Sequence, residues 1–257
     1  SIFTFGLITT NLFVTGLNFT HAFAQEAKNA GSADSTPITI EAKEFLEWNQ
    51  KEGTYIAKGN AFVQQNQSNI TADHIIASYD INSKSRDITR VVATGVVTYI
   101  EGENTARGDK LDYDLTNSLY VLTGKKSSLE GPRGIMTATE SIKYDATDTP
   151  NRKVTAIGKA RYKDSNGRTV FGEKLIANIG SDGTLKTING YENTKVTTNN
   201  GTTATADRLT YVADTGLANL NGNVEITNEE NVLRGAKAKI DFNSFRILPF
   251  ENEGQNL

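Results

Sequence analysis

Apolar and polar residues alternate with a period of two through most of the chain after residue 37, the pattern of strands with one buried face. One stretch puts Tyr55, Ala57, Gly59, Ala61 and Val63 on a common face, and the next comparable stretch does so with Val91, Ala93, Gly95, Val97 and Tyr99. The pattern returns in Val154, Ala156, Gly158, Ala160 and Tyr162, and in Ala218, Leu220, Gly222, Val224 and Ile226. Between these lie stretches of a second kind, which bury Ile75, Ala77, Tyr79; Leu111, Tyr113, Leu115; Ile142, Tyr144, Ala146; and Leu209, Tyr211, Ala213. The opposite faces are polar, as in Asn219, Asn221, Asn223, Glu225 and Thr227. No long apolar period of 3.6 residues occurs after residue 37, so the fold class is all-β.

These stretches repeat. Glycines mark the first kind at Gly59, Gly95, Gly124, Gly158, Gly190 and Gly222, with spacings of 36, 29, 34, 32 and 32. The second kind opens with Ala72-Asp73-His74-Ile75, Gly108-Asp109-Lys110-Leu111, Thr139-Glu140-Ser141-Ile142, Gly172-Glu173-Lys174-Leu175 and Ala206-Asp207-Arg208-Leu209. A degraded copy is Gly235-Ala236-Lys237-Ala238, so six units of about 32 residues emerge. A glycine inside a strand weakens it and points to a bulge, a bend or a close backbone approach. Recurring once per unit, it predicts a sheet bent along one line into two walls that meet at a crease. Six rungs would span about 30 Å, more if each unit gives two. Asn166-Gly167, Asp182-Gly183 and Asn200-Gly201 mark turns, and Pro37, Pro132, Pro150 and Pro249 fall between strands or at domain ends.

Two features break the pattern. Lys126, Ser128, Glu192 and Thr194 stand at inward-parity positions, which means a flared wall or a slipped register. The acids Asp73, Asp109, Glu140, Glu173 and Asp207 would line a rim, as a solvated edge rather than a cation site.

The ends differ from the repeats. Residues 1–24 hold no Lys, Arg, Asp or Glu and close on Ala22-Phe23-Ala24, the pattern of a signal peptide. Interruptions at Thr4, Thr9, Thr10, Asn11, Thr15, Asn18 and Thr20 argue against the alternative, a retained membrane anchor. No basic segment or Met precedes the stretch, so the chain is expected to begin inside the signal. Residues 25–36 read as a flexible linker, 37–248 as the repeat domain and 249–257 as a flexible tail.

Composition narrows the chemistry. The 257 residues carry a net charge of −3, which gives no electrostatic ground for nucleic acid. There is no cysteine, and the two histidines are His21 and His74. Disulfides, thiolate metal sites, His-rich metal sites and a Ser-His-Asp triad in the mature chain are thereby excluded. His74 fills the slot of Lys110, Lys174, Arg208 and Lys237, an outer-face position. No cofactor and no enzymatic activity are expected. A glycosidase built on a carboxylate pair is the enzyme class left open, and no acid stands out from the repeat to form one. Trp48 is expected to cap the first unit. The inner face mixes Ala and Gly with Val, Leu, Ile and Tyr. That composition suits either a self-filled core or a groove for an apolar ligand, which gains about 0.8 kcal/mol per buried methylene.

The stretches Tyr55–Val63 (YIAKGNAFV), Ile70–Tyr79 (ITADHIIASY), Val91–Tyr99 (VVATGVVTY), Thr105–Asp114 (TARGDKLDYD) and Leu119–Gly124 (LYVLTG) resemble the LptA/OstA-like family of lipopolysaccharide-transport proteins. Gly172–Ala177 (GEKLIA) and Ala204–Tyr211 (ATADRLTY) continue the likeness, which covers about residues 37–245. The resemblance implies a V-shaped β-jelly-roll, apolar inside and open at both ends. It implies a periplasmic protein that binds the acyl chains of lipid A and bridges an inner-membrane LptC-like protein to an outer-membrane LptD-like protein. Contacts would run through edge strands, with head-to-tail self-association. The lipid-contacting candidates are Val91, Val97, Tyr99, Leu111, Tyr113, Leu122, Ile142, Tyr144, Leu175, Ile188, Leu209 and Tyr211. The alternatives are a membrane-anchored LptC-like partner of the same fold, or a structural or adhesive β-solenoid with a filled core.

Overall fold

A computed structural model describes residues 3–8, 35–65, 67–83, 86–199, 201–228, 231–243 and 246–248. Strands run through Phe3–Ile8 (β1), Ser35–Glu41 (β2), Phe45–Asn49 (β3), Thr54–Gln65 (β4), Ser68–Tyr79 (β5), Ile88–Glu101 (β6) and Asn104–Asp114 (β7). The middle of the chain gives Leu119–Thr123 (β8), Ser127–Gly131 (β9), Gly134–Ala138 (β10) and Ser141–Asp145 (β11). Arg152–Asp164 (β12), Thr169–Ile179 (β13), Leu185–Thr197 (β14), Thr203–Val212 (β15), Leu217–Thr227 (β16), Val232–Asp241 (β17) and Arg246–Leu248 (β18) follow. All belong to one antiparallel sheet of 18 strands, and a 3-10 turn at Thr149–Asn151 is the one helical piece among the described residues. The fold is the expected all-β jelly-roll.

β1 pairs antiparallel with β2, and β2 begins at Ser35, two residues inside the segment expected to be linker. The remainder of the expected signal and linker, with His21 and the cleavage motif, and the 249–257 tail lie outside the described residues.

The sheet is a meander in which each rung pairs with the one before it and the one after. Three rungs are broken in the middle: β2 with β3 against β4, β8 with β9 against β7, and β10 with β11 against β12. Each sequence unit therefore supplies two rungs. The stack from β2/β3 to β17 is about 60 Å long at the usual strand spacing.

Each rung crosses from one wall to the other, and the crossing explains the glycines. On β4, four steps separate the inward Ala57 and Ala61, while on β5 three steps separate their partners Ile75 and Ala72. The extra residue forms a bulge in which Gly59 and Asn60 have φ of 78° and 45°. The same left-handed pair recurs at Gly158-Lys159 (84°, 44°) and Gly222-Asn223 (79°, 47°), and these bulges align into the crease.

Two expectations are corrected by this geometry. Gly190 is not a crease residue: it lies in the inward row between Leu175 and Leu209, and the left-handed pair on β14 is Glu192-Asn193, at 60° and 51°. Glu192 is accordingly outside and exposed, whereas Thr194 is inward and 1% exposed, its hydroxyl donating to the Ala206 carbonyl at 2.6 Å. Between β8 and β9 five steps separate the inward Leu122 and Ser127, so parity flips. Ser127 and Leu129 point in, Lys126 is exposed and Ser128 is half-buried.

The repeat acids do not form a rim. An odd-numbered crossing of three steps turns them to the outer side of the crease, over the neighbouring bulge. The Asp109 carboxylate accepts the Lys125 N–H at 3.3 Å, and Glu173 accepts that of Lys159 at 3.4 Å. A Cβ on Gly95 would fall 2.2 Å from the Asp73 carboxylate, so this position excludes a side chain by contact as well as by its φ of 96°.

Inside the crease one row runs through the whole stack in register: Ala57, Ile75, Ala93, Leu111, Leu122, Ile142, Ala156, Leu175, Gly190, Leu209, Leu220 and Ala238. Small residues mostly alternate with large ones, which lets the opposite wall interdigitate.

Glu192 is the non-glycine at a position that prefers glycine, so Glu192→Gly should stabilise the fold by about 0.5–1 kcal/mol, and Gly158→Ala should destabilise it by about 1–2 kcal/mol. Urea denaturation of the two variants checks both signs; equal midpoints would contradict the bulge assignment.

Candidate functional site

The space between the walls is the candidate site. One wall carries residues such as 54–58, 74–79, 88–94 and 110–114. The other carries 61–65, 68–72, 97–101 and 104–108. Alternation directs every second side chain inward from both walls. All twelve sequence candidates face this interior: Tyr113 is half-buried, and Val91, Val97, Tyr99, Leu111, Leu122, Ile142, Tyr144, Leu175, Ile188, Leu209 and Tyr211 are buried. Tyr120, Leu129 and Met136 join them without having been singled out. The parity flip hid Leu129; Tyr120 shares the parity of Leu122 and was legible from it.

The walls touch. Ala93, Ala156, Ala160, Leu175, Ile188 and Ala218 are 0% exposed. Among the described residues, the space left between the walls includes three small cavities. The first, about 60 Å³, is lined from both walls by Ile40, Ile70, Val63, Val91, Tyr99 and Tyr113. The second, about 30 Å³, lies among Leu129, Met136, Val154, Tyr162, Ile179 and Ile188. The third, about 60 Å³, lies at the far end among Ile226, Leu233, Ile240 and Ile247. A pocket that encloses a small ligand measures about 300–1,000 Å³. For an apolar chain to enter this interior, side chains would have to turn or the walls to part.

Tyrosines dominate the centre. Tyr113 and Tyr120 stack with centroids 3.9 Å apart, and Tyr144 continues the series 5.7 Å from Tyr120. Across from them, the Tyr99 hydroxyl donates to the Glu101 carboxylate at 2.5 Å. Burial pushes the Tyr99 and Tyr120 phenols well above their ordinary range. It pushes Tyr144 up to about 12, partly offset by the nearby Arg152 guanidinium. Arg152 is itself inward and 5% exposed. Burial also raises Tyr162 and Tyr211.

Other expectations concern the periphery. His74 sits half-buried on the outer face, opposite Lys58 and Thr94. Trp48 lies on β3 at the end of the stack, stacked on Tyr55 at 5.9 Å and donating to the Tyr79 hydroxyl at 2.8 Å. Among the described residues, no group of three or more His, Cys, Asp or Glu could hold a metal ion, and no helix is long and apolar enough to cross a membrane. At the far end Val232, Leu233 and Ile247 are 49%, 51% and 46% exposed.

A two-walled antiparallel stack with a mostly apolar lining defines an all-β jelly-roll. Residues 39–148 match the family described as LptA/(LptD N-terminal domain) LPS transport protein. Over that stretch, which is less than half of the chain, the protein is similar to this family. LptH, the LptA homologous periplasmic component of the conserved lipopolysaccharide transport device from Pseudomonas aeruginosa, is similar at 17% identity over 61% of this chain and 83% of that one, with a TM-score of 0.33. A likeness at that score adds no weight to the fold, which rests on the register and burial given above. No curated protein matches the chain.

The raised phenol pKa values set an alkaline limit. The folded state keeps protons that an unfolded chain releases above pH 10, so this stabilisation is complete below pH 10 and is lost as pH rises towards about 12, where Tyr144 titrates. The urea unfolding free energy should fall by roughly 2 kcal/mol or more between pH 9 and pH 11.5. A flat profile would contradict buried, neutral hydroxyls.

Proposed function

We propose that the chain is a periplasmic lipopolysaccharide-binding bridge, which takes the acyl chains of lipid A between its walls and passes them from the inner to the outer membrane. The observation that carries the reading is the apolar row inside the crease, continuous in register from β4 to β17, together with the match of residues 39–148 to a family of lipopolysaccharide transport proteins. Each methylene moved from water into such a lining gains about 0.8 kcal/mol, so several acyl chains bind firmly without a polar anchor. The family is one of carriers, and binding here requires no bond to form or break.

The same reading assigns the ends of the stack to partners. An edge strand offers unpaired backbone groups, and Val232, Leu233 and Ile247 add apolar surface beside the last rungs. An inner-membrane LptC-like protein, an outer-membrane LptD-like protein or a second copy of this chain would add strands there, with self-association head to tail. Residues 1–24 would serve as the export signal. A second reading, a structural protein with a permanently filled core, is favoured by the small volume of the three cavities.

Site-specific photo-crosslinking in lipopolysaccharide-producing cells separates the two. Probes replace Tyr99, Leu111, Tyr144 and Tyr211 inside, and Thr98 and Asp112 outside. Adducts to lipopolysaccharide at the inner positions alone are expected. No inner adduct from folded, abundant protein would leave the filled-core reading standing.

A further inference from the structure

The outer side of the crease carries a depression where β12, β13 and β14 run side by side. β12 and β14 each hold an extra residue there, in the bulges Gly158-Lys159 and Glu192-Asn193, whereas β13 crosses without one. The two bulges form banks, and β13 forms the floor between them. The depression measures about 490 Å³, within the range of pockets that take a small ligand. Lys159, Phe171, Glu173, Asn193 and Lys195 line it with outward side chains. Their inward neighbours Ala160, Tyr162, Val170 and Val196 are buried, so this space is separate from the interior between the walls.

Charge sets this depression apart. Arg161, Phe171 and Lys195 are direct cross-strand neighbours on three successive rungs, and the Arg161 guanidinium lies 5.2 Å from the Phe171 ring centre. Elsewhere on the same outer row, Arg107 pairs with Glu130 at 3.3 Å and Arg234 with Glu225 at 2.8 Å. Among the described residues, no carboxylate pairs with the side chain of Lys159, Arg161 or Lys195. Of the nearby acids, Glu173 lines the depression and accepts the Lys159 N–H at 3.4 Å, while Glu192 does not line it. Cations therefore outnumber acids here, in a chain whose net charge is −3. The fold does not demand these residues. Thr71 and Thr205 stand at the equivalents of Phe171, Asn60 and Asn223 at those of Lys159, and Thr98 at that of Lys195.

We propose that the depression is a second binding site, for an anionic saccharide, a sugar that carries phosphate or carboxylate. The ammonium groups of Lys159 and Lys195, one on each bank, pair with the anion. The half-buried Phe171 ring supplies apolar surface for the carbon face of the sugar. The Asn193 amide and the Glu173 carboxylate hydrogen-bond to its hydroxyls. A bare inorganic anion leaves Phe171 unused and is repelled by Glu173, and an uncharged sugar leaves both lysines unused. The combination selects a ligand with both parts. The site lies outside the walls, so it does not depend on acyl chains entering between them.

Amide NMR of the full chain titrated with glucose 6-phosphate tests the site. Shifts should concentrate at residues 159–161, 171–173 and 193–195, and binding should weaken as added salt screens the lysines. Glucose and inorganic phosphate should each bind about tenfold more weakly or worse. Lys159→Asn with Lys195→Thr installs the residues of equivalent rungs, which keeps the fold, and should weaken glucose 6-phosphate by about tenfold or more, the loss of charge-assisted hydrogen bonds. Phe171→Thr should weaken glucose 6-phosphate and leave inorganic phosphate unchanged. A second titration uses the deacylated, phosphorylated saccharide of lipopolysaccharide. Tighter binding of that probe assigns the ligand to lipopolysaccharide, and weaker binding assigns it to free sugar phosphates.

No shifts at these amides, or equal binding by the double lysine variant, would overturn the site. Inorganic phosphate that binds as tightly as glucose 6-phosphate would reduce it to an adventitious anion patch and overturn the saccharide assignment. Neither result alters the crosslinks expected inside the walls, so this site and the lipid path fail separately.

Discussion

Everything in this molecule depends on how a strand turns a corner without losing its inward face. A regular strand that bends from one wall to the other would rotate its alternation out of phase. The crease solves this with one extra residue on every second rung, set in a left-handed pair such as Gly59-Asn60 or Gly222-Asn223. Both walls then keep their apolar faces turned together. The acids of the alternate rungs complete the device from outside: Asp109 and Glu173 accept backbone N–H groups freed by the bulges. A conformational requirement of the backbone thus fixes where glycine, asparagine and carboxylate recur, and the recurrence is what the chain shows as a repeat of about 32 residues.

The interior that results has two properties in tension. Alternating small and large residues, as in Ala93, Leu111, Ala156 and Leu175, let the walls close on each other until little space is left. The same residues form an apolar row that runs in register the length of the stack. An antiparallel meander with a single covalent hinge line can open along its mouth without breaking any rung-to-rung hydrogen bond, since those bonds run parallel to the crease. Closure of the walls on each other and opening around an apolar chain are therefore compatible with one set of strand pairings.

Much of this was legible in the sequence because it is local. Period-two alternation placed all twelve candidates on the inner face, and the recurrent glycines located the crease. The failures arise where the count of residues across the crease changes. Five steps instead of four between Leu122 and Ser127 reversed the parity and brought Leu129 inward. At Glu192 the crease residue is not a glycine, so the nearest glycine, Gly190, was mistaken for it. The contact of Arg168 with Asn243 was out of reach for a different reason: the two lie 75 residues apart, and no alternation pattern relates the ends of two facing walls.

The central claim is that an apolar chain enters between the walls rather than coating the outside. Methyl-resolved NMR of the protein titrated with lipopolysaccharide tests it most directly, because Ile and Leu methyls line the interior at Ile75, Leu111, Ile142, Leu175 and Ile188 while Ile76 and Ile176 face outward. Shifts confined to the inner methyls, spread along the stack, are the predicted result. Shifts confined to Ile76, Ile176 and other outer methyls, with the inner set unmoved, would contradict it.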